Sequence, residues 1–380
     1  MFGVRIAVNT RLLQKGRLEG IGWFSKEILL RIVKQHPEHQ FLFLFDRPYD
    51  PSYIFSDNVS AKVLYPQARH PVLYHFFFEY AVPMACKKWK ADLFFSPDGY
   101  LSMKLNIPQV PVIHDLNFEH LPGYLRKRDA KYYRTNFPRF AQKAARILTV
   151  SDYSKKDIHQ TYSIPSDLID VAHNGASEVY HPIDQKEKEA IRAEYGNGYP
   201  YFLYVGSLHP RKNITGLLKS YELFRSSSHA KIPLLLVGQV MWSDADIQSQ
   251  LQVMKYKNDV KFLGRKEQQE LARLVGAALA LTFIPLFEGF GIPALEAMQS
   301  GTPVITSNLT SLPEVVGEAG RLVNPRKPIE VAGAMKAIAS SKEVQEKMKT
   351  IGIEQAKRFS WDTSAEIVWK SIVNASHGTP

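Results

Sequence analysis

Cysteine is nearly missing from this chain: Cys86 stands alone among 380 residues. One thiol can make neither an internal disulfide nor a cysteine-based metal cluster. Long apolar runs are missing too. The longest, residues 275–287, is too short to span a bilayer and contains Pro285. The opening residues MFGVRIAVN enter a strand pattern directly, without a charged segment and apolar core, so no signal peptide is expected. No motif sets aromatic and basic residues at the fixed offsets of a nucleic-acid reader, so no nucleic-acid partner is expected. A soluble protein is the reading these absences leave.

What is present is an ordinary apolar fraction of 45% and a net charge of +11. The apolar content is ample for a sizeable core, and the length suggests two or three domains. The positive balance fits an anionic membrane surface or a phosphorylated substrate. It is densest in residues 126–146, where Arg126, Lys127, Arg128, Lys131, Arg134, Arg139, Lys143 and Arg146 cluster. This segment is either a solvated helix face or a surface toward anionic lipid or a diphosphate-bearing acceptor.

Buried-strand patterns alternate with helical ones from Arg5 to Ala172, and again from Tyr201 onward, with a polar stretch between them. Such alternation means βαβ units and parallel sheets covered on both faces. Two doubly wound α/β domains are therefore expected. The division is 1–177, a linker at 178–190, 191–358, and a last helix over 359–376. Ligands of these folds bind at the carboxyl ends of the strands.

The stretch FEGFGIPALEAMQSGTP, residues 287–303, carries the most chemistry. Pro293 suits the first helical position and Gly301 the stop. The helix N-terminus beside Gly289, Phe290 and Gly291 would favour a phosphate. Glu288 and Glu296 accept hydrogen bonds, so the hydroxyls of a sugar or ribose are their natural partners. A hydrolase pair of carboxylates is the competing reading, and Gly289-x-Gly291-x-x-Ala294 also matches a nicotinamide-type fingerprint. Arg211 and Lys212 follow a strand and precede a helix, where a fork and a point charge suit a diphosphate. Gly20 and Gly22 stand where a strand hands over to a helix, so backbone could approach a ligand there. His114 beside Asp115 ends a strand pattern. Asp244 and Asp246 form a D-x-D at a helix start, where cap and dipole roles outweigh metal binding.

The second half resembles the retaining glycosyltransferases of the large family that includes sucrose synthase, bacterial lipopolysaccharide glycosyltransferases and phosphatidylinositol mannosyltransferase. The resemblance rests on VGSLHPRKN, FEGFGIPALEAMQSGTPVITSN, LPEVVGEAGRLVNP and RFSWDTSAEIVW, which cover most of residues 201–370. LEGIGWFSKEIL, FFSPDGY, VIHDL and TVSDYSKKDI extend it into the first half. It implies the GT-B architecture: two facing Rossmann-like domains, with the last helix crossing back to the first. It also implies that Arg211 and Lys212 hold the donor diphosphate, Glu296 the ribose hydroxyls and Glu288 those of the transferred sugar. His114 would contact the donor sugar, while Gly20, Gly22, Gly206, Gly289, Phe290, Gly291 and Ile292 would line the donor site. The expected partners are a nucleotide-sugar, with GDP-mannose favoured, and a glycan or polyprenyl- or lipid-linked acceptor. No metal or other cofactor is expected. The expected place is the cytoplasm, including the inner face of the cytoplasmic membrane through residues 126–146. A nucleotide-sugar epimerase and a non-catalytic nucleotide-sugar-binding scaffold are the alternatives.

Overall fold

The computed structural model describes residues 3–228, 230–240 and 245–377. Two compact units divide the chain, one from Met1–Asn174 with Ser360–Pro380, the other Gly175–Phe359. None of the described helices is long and apolar enough to cross a membrane.

The first unit is built on a parallel sheet of β1 (Arg5–Asn9), β2 (Gln40–Phe45), β3 (Val59–Val63), β4 (Leu93–Ser96) and β5 (Gln109–Pro111), in the order β3-β2-β1-β4-β5. Runs such as Phe41 to Phe45 are buried throughout, as strands covered on both faces require. A second, two-stranded parallel sheet pairs β6 (Ile147–Thr149) with β7 (Ile169–Val171). The helix after β1 spans Gly20–Gln35, so Gly20 and Gly22 lie in its first turn and not in a preceding loop. A side chain at Gly22 would stand 3.0 Å from Leu18 Cδ2 and 3.2 Å from the Leu12 carbonyl, because the incoming loop packs there. The last helix, Trp361–His377, belongs to this unit. Ser360 Oγ accepts from the Asp362 N–H at 3.1 Å, and Trp369 stacks on His36 at 3.9 Å between ring centroids.

The second unit carries a six-stranded parallel sheet of β8 (Phe202–Val205), β9 (Leu234–Val237), β10 (Val260–Gly264), β11 (Ala280–Phe283), β12 (Val304–Ser307) and β13 (Gly320–Val323). The order β10-β9-β8-β11-β12-β13 is the doubly wound one, and it reverses direction between β8 and β11. Two expectations change here. The stretch after Ser307 reads as helical to about Lys357, yet β13 pairs with β12 from Val304–Gly320 to Ser307–Val323. As an edge strand with Arg321 and Leu322 exposed, it lacks the apolar run that marks its neighbours. The polar stretch read as linker holds the helix Gln185–Gly196, capped where Asp184 accepts from the Glu187 N–H at 2.8 Å. Its exposed face supplies the charge that resembles a linker, while Ile191 is buried.

Candidate active site

In the second unit, the loops that leave β8 and β11 lie at the point where the strand order reverses. Doubly wound folds bind ligands at that point. The β8 loop begins at Gly206, whose φ of +144° is a conformation that L side chains rarely adopt. It continues into a short 3-10 turn, Pro210–Lys212, in which His209 Nδ1 accepts from the Arg211 N–H at 3.2 Å. Asn213 follows in the left-handed region, φ +61°. Its side-chain amide donates to the Pro325 carbonyl at 2.8 Å and the Ile284 carbonyl at 3.3 Å. With the Leu286 N–H donating to the Arg211 carbonyl at 2.9 Å, the bond to Ile284 stitches the β8 and β11 loops together, and the bond to Pro325 ties in the segment after β13.

That stitching brings the two cations to Glu288. Lys212 Nζ stands 2.5 Å from Glu288 Oε2, and Arg211 Nη1 stands 3.1 Å from the same oxygen. Arg211 Nη1 also donates to the Phe287 carbonyl at 2.8 Å. The Lys212 side chain is only 11% exposed and its ammonium lies 5.0 Å from the centre of the Phe283 ring. Removing this charge from water is costly, and the carboxylate and ring compensate for it.

The β11 loop ends in the helix Ile292–Gln299, which puts Pro293 at the second helical position and not the first. Gly291 is its N-cap at φ +110°, and a side chain there would stand 2.5 Å from Leu312 Cδ2. Gly291 has no side chain to cap this N-terminus, where a helix presents N–H groups and partial positive charge. Two hydroxyls clamp the loop from the segment after β12. Thr310 Oγ1 accepts from the Glu288 N–H at 3.2 Å, and Ser311 Oγ donates to the Glu288 and Phe290 carbonyls at 2.9 and 3.1 Å. Gly301, at φ +68°, follows the helix as its expected stop.

Glu296 lies one turn into this helix. Burial pushes its carboxyl up to about 8, against a hydrogen bond from the Tyr180 hydroxyl that works in the opposite direction. Tyr180 is buried, and its own hydroxyl is held well above the ordinary tyrosine value by burial and then by the Glu296 charge.

His114 and the glycines Gly20 and Gly22 belong to the first unit. β5 ends at Pro111, so His114 lies three residues beyond the strand. Its Nε2 is 2.8 Å from the Pro97 carbonyl, which can only accept, so Nε2 carries the proton and Nδ1 is the acceptor. Burial lowers its basicity and keeps the ring neutral near pH 7. Phe24, from the helix that Gly20 starts, meets the ring edge-on at 5.1 Å. Asp115 does not orient His114. Its Oδ1 accepts from the Asn117 N–H at 3.0 Å, two residues on.

In the basic segment, the helix Lys127–Lys143 exposes Lys127, Arg128 and Lys131, but Arg134 pairs with Glu119 at 3.0 Å. Arg146 is held by Asp170 at 2.8 Å. Of the D-x-D pair, Asp244 lies outside the described residues and Asp246 sits in the first turn of the helix Ala245–Val253.

Sequence reasoning missed Asn213, Thr310, Ser311 and Tyr180. The SNLTS run after β12 is the local signal for the hydroxyl clamp, whereas nothing beside Tyr180 points to its partner.

With this geometry in view, the chain matches the family of Glycosyl transferases group 1 over residues 185–355, and Glycosyltransferase Family 4 over residues 20–178. It is 32% identical over 279 residues to the O-antigen chain mannosyltransferase B of Escherichia coli, covering 73% of each chain. The chain is a family 4 glycosyltransferase of group 1. Solved structures agree on the fold. WaaG, a glycosyltransferase involved in lipopolysaccharide biosynthesis, superposes with a TM-score of 0.78 at 15% identity, over 98% of this chain and 100% of that one. Anabaena HepE in complex with UDP-glucose gives 0.75 at 18% identity, over 97% and 99%. The GT-B architecture of this glycosyltransferase therefore accounts for its two doubly wound sheets.

Proposed function

We propose that this glycosyltransferase moves a mannosyl residue from GDP-mannose to a glycan or lipid-linked acceptor of a cell-surface polysaccharide, with retention of anomeric configuration and without a metal. The observation that carries the reading is the convergence of Arg211, Lys212 and Glu288 at the strand-order reversal, beside a helix N-terminus whose cap residue is a glycine. The choice of mannose rests on the mannosyltransferase named above and on a second relative. That one, the O-antigen chain mannosyltransferase RfbU of Salmonella typhimurium, is 31% identical over 57% of each chain. Both are transferases, which disfavours an epimerase or a silent binding scaffold.

Arg211 and Lys212 would take the diphosphate, with Gly206, Gly289, Phe290, Gly291 and Ile292 lining its seat. Glu288 would turn from the cations to the hydroxyls of the transferred sugar, and Glu296 would accept from the ribose hydroxyls. His114 Nδ1 would accept from a donor-sugar hydroxyl, and the helix turn at Gly20 and Gly22 would offer backbone N–H groups to phosphate. The bond from the anomeric carbon to the phosphate oxygen breaks, and its electron pair leaves with the nucleotide. The two cations stabilise that growing charge. The acceptor oxygen bonds to the same face, and its proton passes to the departing phosphate oxygen. The exposed cations of residues 126–146 draw anionic acceptors or lipid toward the first unit.

Calorimetry against UDP-, GDP-, ADP- and dTDP-sugars tests the donor, with GDP-mannose expected to bind tightest. NMR of the product reads the anomer. Tightest binding of a UDP-sugar would move the donor assignment, and an inverted linkage would sink the mechanism.

A further inference from the structure

We propose that Thr310 is a positioning residue for Glu288, held in a strained backbone conformation for the sake of its hydroxyl. This role rests on the donor-sugar contact proposed above for Glu288.

Among the described residues, five other than glycine have positive φ: Lys90, Ser163, Asn197, Asn213 and Thr310. Four of them need no special reason. Lys90, Ser163 and Asn197 are the C-cap residues of the helices Val82–Trp89, Asp152–Tyr162 and Gln185–Gly196, and Asn213 closes the turn Pro210–Lys212. A left-handed residue is a common way to end a helix. Thr310, at φ +57°, ends no helix. It stands between β12 and the short helix Leu312–Val316, whose N-cap is the next residue, Ser311. It is also the only β-branched residue of the five, and a β-branched side chain at positive φ is a genuine outlier. Such a conformation persists only where its surroundings impose it, and it collects at functional sites.

The left-handed turn sets two successive hydroxyls against the β11 loop. Thr310 Oγ1 accepts from the Glu288 N–H at 3.2 Å, and Ser311 Oγ donates to the Glu288 carbonyl at 2.9 Å. Glu288 is thus gripped on both sides of its Cα. Its N–H belongs to the same planar peptide unit as the Phe287 carbonyl, and that carbonyl accepts from Arg211 Nη1 at 2.8 Å. One peptide plane is therefore pinned by Arg211 at its oxygen and by Thr310 at its nitrogen. The two pins differ in kind. Arg211 is a long cationic side chain that also reaches Glu288 Oε2, and in the proposed reaction it turns to the diphosphate. Thr310 is short, uncharged and fixed close to the backbone. It holds the plane, and with it the direction of the Glu288 side chain, while the carboxylate leaves the cations for the sugar. Glycine would fit this backbone without strain but would release the Glu288 N–H.

Calorimetry on the full chain tests this role. It compares the affinity for GDP-mannose with that for GDP, or for whichever sugar nucleotide and parent nucleotide the donor panel selects. The ratio isolates the sugar contact and needs no acceptor. Thr310→Ala should lower the preference for the sugar nucleotide about fivefold, the scale of one net hydrogen bond. Thr310→Ser keeps the hydroxyl and should stay within about twofold of the wild type. Thr310→Gly should lose as much preference as Thr310→Ala yet unfold at higher urea, because only alanine keeps a Cβ at positive φ. In a Glu288→Ala background, Thr310→Ala should have no further effect, since residues that act through one another do not add. A loss that persists in that background would make Thr310 a direct sugar contact and overturn the proposal, as would a preference that simply follows the urea midpoints. A wild-type ratio in Thr310→Ala, beside a lowered one in Glu288→Ala, would overturn the positioning role alone. A wild-type ratio in Glu288→Ala would overturn the sugar role of Glu288 itself, and this role with it.

Discussion

Donor binding should release a proton, and the site of that release should be Glu296. In the unliganded protein its carboxyl is pushed up to about 8 by burial, so roughly nine-tenths of the molecules carry it protonated at pH 7. A carboxylate that accepts from both ribose hydroxyls is stabilised in its charged form, which returns the group toward the ordinary glutamate range near 4.3. Binding therefore expels about 0.9 proton per donor at pH 7. The apparent Kd tightens as pH rises, because only the ionised form accepts both hydroxyls. The gain is about fiftyfold between pH 6 and pH 8, and the curve flattens above that. His114 is displaced the other way, since burial moves its titration below the usual histidine value. The assay is calorimetry of an intact nucleotide-sugar in buffers of different ionisation enthalpy, whose slope counts the protons. Glu296→Gln should abolish the release and flatten the profile. Tyr180→Phe removes the hydrogen bond that lowers the Glu296 value, so its inflection should shift to higher pH. A wild-type Kd that is constant from pH 6 to pH 8, with no proton released at pH 7, would refute the assignment of Glu296 to the ribose.

Lys212→Ala and Glu288→Ala should each lower turnover by on the order of a hundredfold, the scale of one lost charge-stabilising contact; near-wild-type kinetics in either purified variant would remove that residue from the site. Activity should persist in excess EDTA, since on the proposed mechanism Arg211 and Lys212 would supply the charge, and a loss restored by magnesium or manganese would argue for a resident metal. Gly291→Ala should cost about 1–3 kcal/mol, because it forces a side chain into positive φ against Leu312. A urea midpoint equal to that of the wild type would contradict the strain.

Much of the second unit is legible because its inner strands are unbroken apolar runs that alternate with amphipathic helices. The site residues Arg211, Lys212 and Glu288 are legible as residues because glycines, a proline and charges mark them locally. Their meeting is not, since Lys212 and Glu288 are 76 positions apart and only the strand order adjoins their loops. Tyr180 was hidden for the same reason: its partner Glu296 lies far along the chain and its own surroundings read as polar linker. β13 escaped because an edge strand that leaves Arg321 and Leu322 exposed carries no periodic signature.

The pairing of Glu288 with both Lys212 and Arg211 has a consequence for the end of the catalytic cycle. Under the donor-binding role proposed above, this carboxylate, paired with both cations, would hold the place of the negative charge that a diphosphate brings. An arriving donor would then have to displace it, which would weaken ground-state affinity, and a departing nucleotide would meet a tethered rival for the same two cations. Glu288 would thus serve as an internal ejector, trading tight binding for rapid clearance of the product.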